Sequence, residues 1–205
     1  MWENVDDIDF DKLPNRFVLK AVHGSGWNII VKDKASLDVH AAKDKLNFWM
    51  NRVLTYCNGL ELHYKDIKPK IIAEQYLENN GEDLHDYKVW CFGGKAYFIQ
   101  FLTGRSTGLK MAYYDLEWNK LPFISNHQML DGDVEKPSNL EELIWAAEKL
   151  AKPFNHVRVD FYRLDNGEIK FGELTFTPSS GRCIWNPPVY NELMGNLFDI
   201  NYTSN

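Results

Sequence analysis

Val157-Arg158-Val159-Asp160-Phe161-Tyr162-Arg163-Leu164-Asp165-Asn166-Gly167-Glu168-Ile169-Lys170-Phe171-Gly172-Glu173-Leu174-Thr175-Phe176 reads as a hairpin. Two apolar-rich runs, Val157 to Leu164 and Glu168 to Phe176, flank Asp165-Asn166-Gly167, and an Asn-Gly pair between such runs supplies the positive φ angles of a tight turn. A turn centred on Asn166-Gly167 places Asp160 opposite Glu173, with Cβ atoms roughly 4.5–5.5 Å apart on one face. Two carboxylates in that position repel unless a cation lies between them, and hard oxygen ligands completed by phosphate suit Mg²⁺. The plainer reading is an acidic pair on a solvated face. The apolar flanks Val159, Phe161, Leu174 and Phe176 argue against it. Arg158 shares the face of Asp160, either to neutralise it or to stabilise charge on a substrate or a transferring phosphoryl group. Thr177-Pro178-Ser179-Ser180-Gly181-Arg182 follows as a donor-rich turn.

Working outward, Ala96 to Leu102 pairs with Tyr87 to Phe92 across Gly93-Gly94, and Leu109 to Leu116 adds a further strand. Ser138-Asn139-Leu140-Glu141 is a capping-box pattern that opens a helix to about Ala151. Nearer the N-terminus, Arg16 to Val22 is a strand with Val18, Lys20 and Val22 on one face. His23-Gly24-Ser25-Gly26 turns the chain into a return strand, Trp27 to Lys32. Helical spacing then runs from Ser36, the expected N-cap, to Leu54 through Ala42, Leu46, Trp49, Met50 and Val53, with Asp38 in the first turn. Lys70 to Leu77 is a buried strand. The span from Glu117 to Lys136 is irregular, marked by Pro122 and Asp131-Gly132-Asp133. Strands outnumber helices and are hairpin-linked, so the fold class is α+β with antiparallel sheets.

Composition narrows the function. The chain has 205 residues, 44% of them apolar and 14% aromatic, enough for a real core. Its net charge is −6, which lacks the footprint of a nucleic-acid binder; a local basic cluster answers to a small anion instead. The acidic start, Met1 to Asp7, is unlike a signal peptide, and the longest apolar stretch, Val89 to Leu102, is interrupted by Gly93-Gly94-Lys95, so no membrane span is expected. Cys57, Cys91 and Cys183 are spaced for neither disulfide framework nor zinc site. A soluble cytoplasmic protein is the expectation. Lys20 beside Gly24 and Gly26 suggests a phosphate contact, although an exposed strand lysine and a plain tight turn are the simpler readings. His23 in that loop is a candidate for touching phosphate. His40 and His63 read as structural or exposed, and no Gly-x-Ser-x-Gly elbow is present.

The order of these motifs resembles the TupA-like branch of the ATP-grasp superfamily, linked to teichuronopeptide and other cell-surface polysaccharide synthesis. The resemblance rests on Leu13 to Lys20, His23 to Gly26, Ile72 to Leu77, Asp86-Tyr87-Lys88, Arg158-Val159-Asp160, and Phe171 to Pro178. It implies an ATP-grasp fold of two α+β subdomains, about 1–78 and 79–205, clasping ATP, with no pre-ATP N-terminal domain. By resemblance, Lys20 binds nucleotide phosphate, the loop His23, Gly24, Ser25 and Gly26 covers the phosphates, and the segment Glu74, Gln75, Tyr76 and Leu77 reads adenine through its backbone. Asp86 holds the ribose, with Asp83 as neighbouring candidate, and Lys88 points at phosphate or substrate. The superfamily's Arg-x-Asp falls on Arg158 and Asp160, and its Glu-x-Asn on Glu173 and Thr175, so that Asp160, Glu173 and a weaker Thr175 hold magnesium. Arg105 is the further candidate for an acceptor or carboxylate contact.

The expected activity is an ATP- and Mg²⁺-dependent carboxylate–amine ligase working through an acyl phosphate, with an amino acid or uronic-acid sugar as substrate. Polysaccharide-synthesis proteins or a separate pre-ATP domain are the expected partners. The alternatives are a non-catalytic nucleotide-binding partner of a polysaccharide-synthesis complex and a sugar kinase using the same phosphate site.

Overall fold

The computed structural model describes residues 1–56, 61–79, 84–105, 107–125, 128–199 and 201. Cys57, Asp83, Ser106 and His127 lie outside the described residues. The chain divides into two compact units, Met1–Leu77 and Glu78–Asn205.

In the first unit, β1 (Phe17–Ala21) lies between β2 (Asn28–Val31) and β3 (Ile71–Gln75), antiparallel to both. Alternation along β1 buries Phe17, Leu19 and Ala21 and leaves Val18 and Lys20 half-buried, the two-faced pattern of a sheet with one wet side. Helix α1 (Val39–Met50) closes the apolar side with Ala42, Leu46 and Trp49. Its N-cap is Asp38, whose carboxylate accepts from the Ala41 amide at 2.9 Å. The expected cap, Ser36, instead ends a separate turn, Lys34–Ser36, capped by Asp33. Asp38 outcompetes the serine because its side chain reaches an orphan amide of the helix itself.

The second unit is built on six strands: β4 (His85–Phe92), β5 (Lys95–Thr103), β6 (Lys110–Tyr114), β8 (Gln128–Met129), β9 (His156–Arg163) and β10 (Ile169–Thr175), in the order β10-β9-β4-β5-β6-β8. All neighbours are antiparallel except β6 and β8, which run parallel. The β4–β5 turn uses Gly93 and Gly94 at φ 54° and 74°, as the sequence requires. Helix α2 (Leu140–Ala151) covers one face, packing Leu140, Leu143, Ala147 and Ala151 against Val89, Val157, Val159 and Phe161. Burying each such valine or leucine stabilises the unit by roughly 1.5–3 kcal/mol. The expected capping box does not form. Asn139 occupies the cap position, with its side chain turned away to the Gly167 carbonyl and the Arg163 guanidinium.

The opposite face carries an aromatic cluster of Trp90, Phe98, Tyr113, Phe123 and Trp185. A small sheet of β7 (Ile124–Ser125) and β11 (Trp185–Asn186), together with α3 (Val189–Gly195), contributes to it. Among the described residues no helix is long and apolar enough to cross a membrane. Cys91 and Cys183 are free thiols.

Candidate functional site

The β9–β10 hairpin does bring Asp160 opposite Glu173, by a different route from the expected one. Leu164 and Glu168 close a three-residue loop around Asp165, Asn166 and Gly167, with Gly167 at φ 85°. From there Ile169, Lys170 and Phe171 pair with Arg163, Tyr162 and Phe161. The register advances by one residue at Gly172, so that Glu173 meets Asp160 and Thr175 meets Arg158. A bulge inserts one unpaired residue in this way. Gly172 suits it, because a Cβ there would lie 3.0 Å from the Asp160 carbonyl oxygen.

Across the sheet, Gln100, Lys88, Asp160 and Glu173 are successive cross-strand partners on β5, β4, β9 and β10. Asp160 is 3% exposed. Its Oδ1 accepts from Arg158 Nε at 2.7 Å, and its Oδ2 accepts from Arg158 Nη2 at 2.8 Å and from Lys88 Nζ. The fork is bidentate, the strongest geometry open to an arginine and a carboxylate. Arg158 Nη2 also donates to Thr175 Oγ1 at 3.1 Å, and that hydroxyl donates to Glu173 Oε1 at 3.2 Å. Arg158 therefore lies between the facing acids, 3.8 Å from Glu173. The expected repulsion is relieved by the protein's own cations, and Thr175 bridges Arg158 to Glu173. Burial works against the charge on Arg158, yet Asp160 raises its pKa above the ordinary value.

Asp86, the expected ribose contact, is held among cations. It is 1% exposed, and its Oδ2 accepts from Nε of Arg105 at 2.8 Å and from Nη2 of the same residue, while Lys88 Nζ lies 3.7 Å from its Oδ1. A carboxylate so enclosed anchors the half-exposed Arg105 and one side of Lys88. The side chain of Arg105 is 50% exposed, which leaves it accessible to an incoming anion. Tyr162 and Trp90 complete the face and were not singled out in the sequence. Tyr162, two residues after Asp160, has its phenol pushed up to about 12 by burial and by the Asp86 charge. Trp90, two residues after Lys88, donates to Gln100 Oε1 at 3.2 Å, and its ring lies 6.0 Å from the Arg158 guanidinium. Strand alternation was the signal that would have found both.

In the first unit, Lys20 pairs with Glu74, both partly exposed, as Val18 faces Glu74 across β1 and β3. Gln75 ends β3, exposed, and Tyr76 lies under Arg16 at 4.5 Å, with Leu77 half-buried beyond it. The Gly loop is fixed by packing at two positions. His23 is 2% exposed, with Nε2 donating to the Trp49 carbonyl at 3.0 Å, so it anchors the loop to α1. Gly24 is required by packing: a Cβ would lie 2.1 Å from Cε3 of Trp27, whose ring meets His23 edge-on and stacks on Trp49. Gly26 meets the turn requirement at φ 70°, and Ser25 is exposed beside it. A groove of about 610 Å³ in this unit is lined by β2, the Lys34–Ser36 turn and the start of α1, without any expected site residue.

Among the described residues no group of three or more His, Cys, Asp or Glu side chains is arranged to hold a metal. Asp160 and Glu173, two hard carboxylates facing across strands, are donors of the kind that magnesium prefers.

The sequence profile of the TupA-like ATP-grasp family matches residues 1–199. The chain belongs to the TupA-like ATP-grasp family. Its α+β architecture is accordingly an ATP-grasp fold. No curated protein is matched. Among solved structures, this TupA-like chain is similar to the ATP-grasp ligase PsnB complexed with a phosphomimetic variant of minimal precursor, Mg and ADP. The two are 13% identical with a TM-score of 0.40, over 89% of this chain and 47% of that one. The TupA-like chain thus spans about half the length of the structure it matches.

Proposed function

We propose that the chain is an ATP-dependent carboxylate–amine ligase acting in cell-surface polysaccharide synthesis. Family membership supports the nucleotide, and the polysaccharide context is part of the proposal. The observation that carries the reading is the convergence of Arg158, Lys88 and Arg105 with Asp160 and Asp86 on one sheet face. In this reading the sheet presents these cations to charge that develops on a transferring phosphoryl group, where fixed positive charge lowers the barrier.

In this reading a substrate carboxylate oxygen attacks the γ-phosphorus and ADP departs, leaving an acyl phosphate. The amine nitrogen then attacks the acyl carbon, the carbon–oxygen bond breaks, and phosphate leaves with that oxygen. Arg158 and Lys88 stabilise the phosphoryl oxygens, and the accessible Arg105 orients the carboxylate, held in place by Asp86. Asp160 and Glu173 are the residues that would hold magnesium, with Thr175 orienting Glu173. When bound there, the ion supplies positive charge to the phosphate oxygens. Lys20 contributes a phosphate contact in the first unit, the Gly26 turn its backbone amides, and Glu74 to Leu77 the adenine contact.

The test is ADP release with magnesium against a panel of amino acids and uronic-acid sugars, followed by product mass. A condensation mass with loss of water supports the ligase. A phosphorylated sugar overturns it in favour of a kinase, and nucleotide binding without turnover overturns it in favour of a non-catalytic partner.

A further inference from the structure

The ion pairs on Asp160 have a consequence for the order in which ligands bind. Asp86, Asp160 and Glu173 bring three negative charges to the cluster, and Lys88, Arg105 and Arg158 bring three positive ones. A divalent cation entering alone would add two positive charges to a balanced group in which Asp86, Asp160 and Lys88 are buried and the Arg158 side chain is only 13% exposed. It would also approach an Asp160 whose two oxygens already accept from Arg158 and Lys88. Desolvated charges tolerate such an imbalance poorly. Phosphate oxygens change the balance, because they offer the two cations another acceptor.

The two cations are not equally free to move. Arg158 is fixed by a planar two-point fork on Asp160, a third bond to Thr175 and the Trp90 ring. Lys88 makes point contacts from a flexible stem, on Asp160 and more loosely on Asp86. When Lys88 leaves, Asp86 keeps Arg105 and Asp160 keeps Arg158, so neither buried carboxylate is orphaned.

We infer that Lys88 is a gate: it closes Asp160 to a divalent cation until phosphate oxygens draw it away, so that metal enters with phosphate and not before it. This inference rests on the proposed nucleotide reading and assigns Lys88 a positioning role that precedes any chemistry.

Mn²⁺ serves as the probe, with unbound Mn²⁺ read by electron paramagnetic resonance on the full chain and no nucleotide present. Wild type should bind it weakly. Lys88→Met, which removes the charge and retains the stem, should bind it at least about tenfold more tightly, a gain equivalent to roughly 1.4 kcal/mol. Adding Asp160→Asn to Lys88→Met should abolish the gain. A Lys88→Met protein that binds Mn²⁺ no better than wild type overturns the gate.

A second measurement needs no variant. Mg²⁺ alone should leave the wild-type melting temperature unchanged, whereas Mg²⁺ with ADP should raise it. A rise with Mg²⁺ alone as large as that with both overturns the inference. If neither addition stabilises wild type, the nucleotide reading fails, and the Mn²⁺ comparison still decides whether Lys88 closes Asp160.

Discussion

Asp160→Asn separates two accounts of the acidic pair that predict opposite signs. If the facing carboxylates merely repelled, neutralising one would leave the unliganded protein as stable or more so. The structure predicts a loss. Asp160 is 3% exposed and accepts three hydrogen bonds from two cations, while the Arg158 and Lys88 side chains are only 13% and 10% exposed. Removing one partner of a buried ion pair costs about 3–5 kcal/mol, because the other charge stays buried and uncompensated. Asparagine keeps one carbonyl acceptor for the guanidinium, which places the loss near 3 kcal/mol. For a chain of this size each kcal/mol lowers Tm by roughly 2–4 °C, so the drop is about 6–12 °C. Thermal unfolding by circular dichroism without ligand reads it directly. Adding Lys88→Met removes the surplus cation and should restore part of the loss, with a coupling of about 1–3 kcal/mol. A Tm unchanged or raised in Asp160→Asn would refute the reasoning.

Lys20→Ala should weaken ATP binding about 10- to 150-fold, the worth of a charged hydrogen bond, in calorimetry of a folded variant; unchanged affinity removes Lys20 from the nucleotide contacts. Gly24→Ala should cost about 1–3 kcal/mol in denaturant unfolding by displacing the Trp27 ring, and much less in a Trp27→Ala background; equal costs in both backgrounds contradict the packing explanation. Burial pushes the His156 imidazole down to about 4 from an ordinary 6.5, with the Cys91 carbonyl opposing and Arg158 reinforcing. Between those pH values the unfolded chain takes up a proton that the folded chain refuses, so stability falls by roughly 3 kcal/mol as pH drops through that window. His156→Phe, which retains a ring beside Phe92 and Phe198, should flatten this part of the Tm–pH curve; an unchanged slope would assign the effect elsewhere.

Much of the strand framework was legible because alternation and glycine turns are local signals. Phe17, Leu19 and Ala21 on β1, and the Gly93-Gly94 turn, follow from spacing alone. The Asp160–Glu173 pairing was legible for an incomplete reason: a longer loop and the Gly172 bulge shift the register in compensating directions. Three features required tertiary partners that spacing does not reveal. Asp38 caps α1 in place of Ser36 because of where the helix begins against the core. Gly24 is explained only by Trp27 and Trp49, and His23 only by the Trp49 carbonyl. In the candidate site, alternation placed Asp86 with Lys88 and Arg158 with Asp160. That Arg105 closes Asp86, and that Lys88 reaches Asp160, depends on which strands neighbour one another in the sheet. Helix α3 was not anticipated, since it is only seven residues long and no side chain caps its start.

The central claim is transfer of a phosphoryl group to a carboxylate, and oxygen isotope transfer tests it most directly. A substrate acid labelled with ¹⁸O in its carboxylate is turned over with ATP, magnesium and the amine, and the released phosphate is weighed by mass spectrometry. Because the acyl phosphate breaks at its carbon–oxygen bond, the account predicts one ¹⁸O atom in each phosphate formed, matched by loss of one from the amide product. Turnover of ATP that yields unlabelled phosphate would contradict it.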